Sequence, residues 1–244
     1  MKKIVFFSGC ILLFNCTGDD ACFSKKGDEV SEVAQIAAFH TIDIPMNVSA
    51  EIIPSDTYKL EIHSFENRIQ ALSYSVKDSV LLISNEISCE MLKSTETALL
   101  KIHTPTLKRI HSRTQFQVYS NTVLTYPNLY LLTSIPKVES ASTHFNFRVN
   151  NNSVTVEDNQ VGYFQLTGNT NVLDVQLYGA NGVVDAKALN AKEVKMFHRS
   201  NQNIHLYPLD KIEGTLYSVG NAYLYNKPQT VNVNRLYTGA IIYK

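Results

Sequence analysis

Four segments of the C-terminal half decide the fold: DVQLYGANG (174–182), EVKMFHRSN (193–201), EGTLYSVGN (213–221) and VNRLYTGA (233–240). Their aromatics fall at Tyr178, Phe197, Tyr217 and Tyr237, 19 to 20 residues apart. A constant period of about 20 residues, made of short β-rich stretches and turns with no helical segment between them, is how a solenoid of stacked rungs reads. The expected architecture is all-β: a single right-handed parallel β-helix, or β-solenoid, with rungs of about 20 residues.

Working outward, the rungs align on a mid-rung β position at Val118, Val138, Val161, Val183, Ile204, Ala222 and Ile241. Turn formers precede most of these anchors: Asp158 and Asn159, Asn181 and Gly182, Asn201, Gly220, Gly239. Gly and Asn adopt positive φ at low cost, so the pattern predicts one tight corner per rung. Leu177, Met196, Leu216 and Leu236, each just before an aromatic of the ladder, are expected to point inward and the aromatics outward. Upstream of Pro105 the pattern is strand-like, with alternation through Ile42, Ile44, Met46 and Val48 and again through Leu60 and Ile62. A single helical turn fits near residues 66–71. No Pro/Gly/Ser linker divides the chain, so residues 33–244 read as one domain, and helices long enough for an α/β fold are missing.

The first residues, MKKIVFFSGCILLFNC, place two lysines before an apolar run from Ile4 to Phe14, the pattern of a signal peptide over residues 1–15. The run is shorter than the roughly 20 residues a membrane-crossing helix needs. Leu13, Phe14 and Asn15 ahead of Cys16 resemble a lipobox, which would make Cys16 the lipidated residue and the lipid the only membrane attachment. Cys10, after Ser8 and Gly9, is the alternative box, but it leaves a shorter apolar core. An ordinary secretory signal would export the chain equally. Residues 16–32 form a linker and lead-in segment. Its acidic pair, Asp19 and Asp20, resembles the export signal of Bacteroidetes-type surface lipoproteins. The expected location is therefore outside the cytoplasm, lipid-anchored to the outer membrane and facing the cell surface or the periplasm.

The whole chain carries 22 basic and 22 acidic residues, and loss of Lys2 and Lys3 with the signal leaves a net charge of −2. Basic residues pair at Lys25 with Lys26 and at Lys108 with Arg109 but do not cluster, which argues against a nucleic-acid partner. Cys22 and Cys89 remain as a pair in an exported chain, and a disulfide between them is expected. It would close a loop of about 66 residues, adding about 4 kcal/mol in the chain-entropy model. No CxxC, HxxxH or HExxH spacing occurs, so no metal site is expected, and no Gly-rich loop or G-x-S-x-G elbow points to a cofactor or a hydrolase nucleophile.

With the rungs aligned, the chain from about Cys22 to Lys244 resembles the "putative auto-transporter adhesin, head GIN domain" family of bacterial exported proteins. The resemblance rests on ACFSKKGDEV, the F-x-x-I-D-I strand at Phe39–Ile44, SVLLISNEISC ending in Cys89, TPTLKRI (104–110), FQLTGNTNV, AKALNAKEV, and YNKPQTV with Tyr225 and Pro228. It implies a right-handed β-helix, mostly one strand per face, and a role at the cell surface. The family's small Gly/Ser-rich corners are largely replaced here by YGANG, FHRSN, YSVGN and YTGA, with glycine kept at Gly182, Gly220 and Gly239.

Two sets of residues carry functional readings. His198, Arg199 and His205 fall in one rung near Asp210 and Lys211, which a β-helix polysaccharide lyase could use as base and cation; exposed strand histidines more commonly serve no chemistry. No catalytic residue is assigned. Aromatics recur at Tyr178, Phe197, Tyr217 and Tyr237, and again at Tyr207, Tyr225 and Tyr243 with a spacing of 18. Stacked rungs lie about 4.8 Å apart, so these columns either cement the solenoid or form an amphipathic surface for a glycan or a host or matrix protein. The leading expectation is a non-enzymatic adhesion or binding module. The alternative is a structural protein that forms homo-oligomers through the open end of its solenoid.

Overall fold

The structure, a computed structural model, describes residues 27–86, 95–133 and 142–244. Cys16, Cys22, Cys89 and Val138 lie outside the described residues. The chain opens with β1 (Glu29–Gln35), β2 (Thr41–Ile44), β3 (Val48–Pro54) and β4 (Lys59–Phe65). A single helical turn, α1 (Glu66–Ile69), sits where the sequence places one, followed by β5 (Leu72–Lys77), β6 (Val80–Asn85) and β7 (Ala98–Thr104). Next come β8 (Arg109–Ser112), β9 (Gln117–Leu124) and β10 (Asn128–Thr133). Four long strands follow: β11 (His144–Asp158), β12 (Tyr163–Leu177), β13 (Val183–His198) and β14 (Ile204–Leu216). The chain closes with β15 (Ala222–Leu224), β16 (Thr230–Arg235) and β17 (Ile241–Tyr243).

These strands wind into an all-β solenoid of about six turns with two faces. On the first face the hydrogen-bonded order is β5, β6, β2, β8, β10, the second halves of β11 to β14, then β16. On the second it is β1, β4, β7, β3, β9, the first halves of β11 to β14, then β15 and β17. Pairing is parallel except at the N-terminal end, where β1–β4, β4–β7 and β5–β6 are antiparallel. The turn made by β2 and β3 lies between the β6/β7 turn and the β8/β9 turn, so the chain first lays down a middle turn, then an outer one, and only from β8 winds in sequence order.

Alternation explains the core. One inward column runs Ala50, Val118, Phe145, Phe164, Val184, Ile204, Ala222 and Ile241. All but Ile241 in the last turn are fully buried, and Phe145 stacks on Phe164 with ring centroids 5.0 Å apart. Val118, Ile204, Ala222 and Ile241 occupy the expected rung position. Two anchors are corrected: Val161 is 44% exposed in a corner, with Phe164 in its place, and Val183 yields to Val184. Corners differ in length from turn to turn, and a slip of one residue sends a strand side chain to the opposite face.

The corner glycines serve a purpose other than the expected one. Positive φ occurs at Gly168 and Gly214, both inside long strands, and at Asn47, Asp78 and Ser79 in N-terminal turns. Gly182, Gly220 and Gly239 are required for close approach: a Cβ at Gly220 would run into the Gln202 carbonyl oxygen, and one at Gly239 into that of Gly220. The opposite corner is built differently. Pro54, Pro105, Pro127, Pro208 and Pro228 lead into or out of it, and Asn190 donates to Asn169 across adjacent turns at 3.0 Å.

Candidate functional site

The outer surface of the first face carries a run of aromatic and polar side chains. Tyr178 and Tyr217 follow the ends of β12 and β14, and Phe197 is the next-to-last residue of β13. Their rings form a stack, 4.9 Å from Tyr178 to Phe197 and 4.3 Å from Phe197 to Tyr217, close to the inter-strand spacing. The stack is not a register column. Phe197 pairs with Gln176 and Thr215, whereas the Tyr178 position is filled by Arg199, Tyr217 and Leu236 in the following turns. The ring of Phe197 thus leans between two tyrosines from neighbouring positions. Tyr178 and Tyr217 remain 41% and 38% exposed.

Hydrogen-bonding groups frame the stack. Tyr178 Oη donates to Gln176 Oε1 (3.2 Å), and Gln176 Nε2 donates to Asp174 Oδ2 (2.8 Å). Asp174, Lys195 and Glu213 lie in register across β12, β13 and β14, and Lys211 pairs with Glu213 at 2.7 Å. Between these side chains lies a shallow depression of about 260 Å³, lined by Asp174, Gln176, Tyr178, Lys195, Phe197 and Glu213. Desolvation, with the Glu157 and Asp174 charges, raises the Tyr178 pKa. Two turns before Tyr178, Tyr130 donates to Glu157 of the turn between them and lies under the Arg109 guanidinium, 4.6 Å from the ring centroid. Burial and then Glu157 push the Tyr130 pKa up to about 12. The result is a stripe from Arg109 through Tyr130, Tyr178 and Phe197 to Tyr217.

The remaining aromatics of the sequence columns lie elsewhere. Tyr237 is 63% exposed in the last corner, and Leu236, 65% exposed, occupies the strand-end position of Tyr217 instead of pointing inward. Leu177, Met196 and Leu216 do point inward, although Met196 is in register with Val175 and not with Leu177. Tyr207 and Tyr225 lie on the second face, while Tyr243 pairs with Leu224, one position out of that column. The sequence reading missed Tyr223, which stacks on His205 at 5.2 Å, while Tyr225 Oη lies 3.1 Å from His205 Nδ1. The i, i+2 pair in AYLYN was the available signal, since alternation puts both tyrosines on one side.

The lyase constellation is not assembled. His198 points into the core in register with Leu177 and Leu216 and is fully buried, whereas His205 faces outward on the other face and Arg199 is exposed at the corner. Neither ring nitrogen of His198 has a well-formed hydrogen bond. Burial drives its pKa down to about 4, the Gln202 backbone opposing the fall. Among the described residues no group of His, Cys, Asp and Glu is arranged to hold a metal ion.

Several solved structures share the fold. A "putative adhesin" from Bacteroides fragilis NCTC 9343 superposes with a TM-score of 0.79 at 19% identity, covering 89% of this chain and 97% of that one. A "putative lipid binding protein" from Parabacteroides distasonis ATCC 8503 gives 0.63 at 11% identity (88% and 97%), and a "putative adhesin" from Parabacteroides merdae ATCC 43184 gives 0.60 at 14% (89% and 97%). No curated protein matches the sequence. The family model described as "Putative auto-transporter adhesin, head GIN domain" matches residues 38–228, most of the chain and nearly all of the solenoid, and the chain belongs to that family.

Proposed function

We propose that the protein is a non-enzymatic binding module of the cell envelope, in the adhesin sense of its family, and that its ligand surface is the outer first face around Tyr178, Phe197 and Tyr217. The observation that carries this reading is the partly exposed aromatic stack beside the Asp174–Gln176 and Lys195–Glu213 groups. A surface with apolar rings and paired donors and acceptors along one line suits an extended polar polymer, a glycan chain or the strand of a matrix protein. The rings lean against one another at 44° and 34°, so a ligand would meet their exposed edges and the tyrosine hydroxyls. That geometry favours hydrogen-bonded contact over a single flat sugar-stacking platform.

The family supports an exported, cell-surface location, and we place the attachment at a lipid on Cys16 in the outer membrane. Binding of the Cys16→Ser chain to arrays of glycans and matrix proteins tests the site. The Tyr178→Ala/Tyr217→Ala variant should lose at least tenfold in affinity while its melting temperature stays within a few degrees. Unchanged binding by that variant would remove this face from consideration. Loss of Cys16 should release the protein from membranes, and retention of the Cys16→Ser chain in the membrane fraction would refute the anchor.

A further inference from the structure

The Pro-led corner holds a second cavity, at the end of the first-face strands away from the tyrosine stack. The chain rounds this corner on a proline twice, at Pro105 between β7 and β8 and at Pro127 between β9 and β10, and next passes it as the unbroken strand β11. Proline supplies no N–H to the ladder, and a cavity of about 380 Å³ lies between the two loops and β11. Leu107, Leu129 and Tyr126, each at most 5% exposed, form its floor. Tyr126 is fixed there by its hydroxyl, which donates to the Thr104 carbonyl at 2.9 Å. The two prolines and the Tyr130 ring complete the apolar lining.

The polar part of the lining offers donors and no carboxylate. Lys108 is its one charged side chain, and Arg109 beside it lies over the Tyr130 ring. Neither cation has an ion pair among the described residues. Asn128 Oδ1 accepts from Ser153 Oγ at 2.8 Å, which leaves the Asn128 Nδ2 protons to give. Glu157 accepts from Tyr130 Oη but does not line the cavity, and Asp56 lines a separate depression that shares Pro105, Tyr126 and Pro127 with it.

We propose that this cavity binds a small organic acid. Its apolar body, an aromatic ring or a medium-length acyl chain, rests on Leu107, Leu129 and Tyr126, and its carboxylate meets Lys108, Asn128 and Arg109. Charge complementarity sets the class: a cation would be repelled by Lys108 and Arg109, and a neutral apolar molecule would leave both without a partner. Size agrees, because 380 Å³ is near the low end of the roughly 300–1,000 Å³ of small-molecule sites. One ring or one short chain fits, whereas a two-tailed lipid does not. The site stands apart from the tyrosine stack, since the depression beside Tyr178 and this cavity share no lining residue.

Titration of the Cys16→Ser chain with octanoate and with indole-3-acetate, followed by calorimetry and amide chemical shifts, tests this. Both acids should bind with Kd below about 1 mM and shift the amides of Leu107, Lys108 and Leu129 first. Octan-1-ol, which has the chain without the charge, should bind at least about fivefold more weakly, and acetate should not bind. Lys108→Ala/Arg109→Ala should weaken octanoate about tenfold and leave octanol unchanged. Ser153→Tyr, at an exposed strand position on the rim, should block both acids while the melting temperature stays within a few degrees. Tyr178→Ala/Tyr217→Ala should bind octanoate as the wild type does, so the two sites are read separately. Absence of binding by both acids, equal affinity for octanoate and octanol, or undiminished octanoate binding by Ser153→Tyr would overturn the proposal.

Discussion

The N-terminal turns and the C-terminal turns build the same core by different windings. From β8 onward each turn lies beside the next in sequence, with register steps of 19, 21, 18 and 19 residues along Ser153, Val172, Glu193, Lys211 and Thr230. Upstream, β2 and β3 are threaded between turns made by later strands, and contacts such as Arg113 to Asp43 (2.9 Å) span 70 residues. The corners differ as well. In the N-terminal part buried hydroxyls bond to one another and to backbone: Thr114 Oγ1 donates to the Val48 carbonyl, Thr143 Oγ1 to that of Thr114, and Ser112 and Thr143 lie 2.9 Å apart. In the C-terminal part the equivalent space is filled by Leu177, His198 and Leu216. Sequential winding makes neighbours of adjacent turns only, whereas interleaving ties distant segments into one unit.

The largest effect expected from this contrast comes from the widest part of the core. Phe164→Ala should cost about 3–5 kcal/mol, since it leaves a cavity against Phe145. Hydrogen exchange should then show loss of protection spreading from β12 toward β17, with the interleaved N-terminal turns still protected. Uniform loss across all turns would mean that the two windings do not differ in cooperativity.

Acid should find the same boundary. His198 has a folded-state pKa of about 4 against an ordinary value near 6.5, so the unfolded chain takes up its proton first. The stability involved is fully present above pH 6.5 and is lost as pH falls toward 4, by about 3 kcal/mol. His198→Leu, flanked by Leu177 and Leu216, should abolish that loss in urea titrations at pH 7 and pH 4. An unchanged pH slope would place the acid sensitivity elsewhere. Asp158 works in the opposite sense. Its pKa is raised by burial against the hydrogen bonds from Thr133 and the Gly162 amide, so its contribution is lost as pH rises through the folded value.

A smaller effect separates the two kinds of left-handed residue. Gly214→Ala should cost about 1–3 kcal/mol, because φ is +136° and the new methyl meets the Met196 carbonyl. Asp78→Gly in the N-terminal β5–β6 turn, where φ is +52°, should stay within about 0.5 kcal/mol. Paired thermal melts check both, and equal costs would erase the distinction.

The candidate site was partly legible. Tyr178, Phe197 and Tyr217 were visible as a column and do pack ring against ring, but Phe197 stands two residues out of register with its neighbours. Spacing counts residues along the chain, while a ring contact depends on where each strand ends. Tyr237 and Tyr243 shared the spacing and not the surroundings: in the last turn they are 63% and 49% exposed. The Pro-led corner was also present in the text, at PTLKRI, YPNLYL, YPLDKI and NKPQTV, and marks where strands of the first face begin.

By itself the sequence determined the class of fold and its repeat, because strand alternation and turn residues are local and recur wherever the chain winds in order. Only the tertiary structure decided that the first turns interleave, that His198 is core and His205 surface, and that the tyrosines divide between two faces and an open end. Those facts depend on which distant strand lies alongside. Two parallel strands bond through backbone groups common to every residue type, so side-chain identity alone does not name the partner.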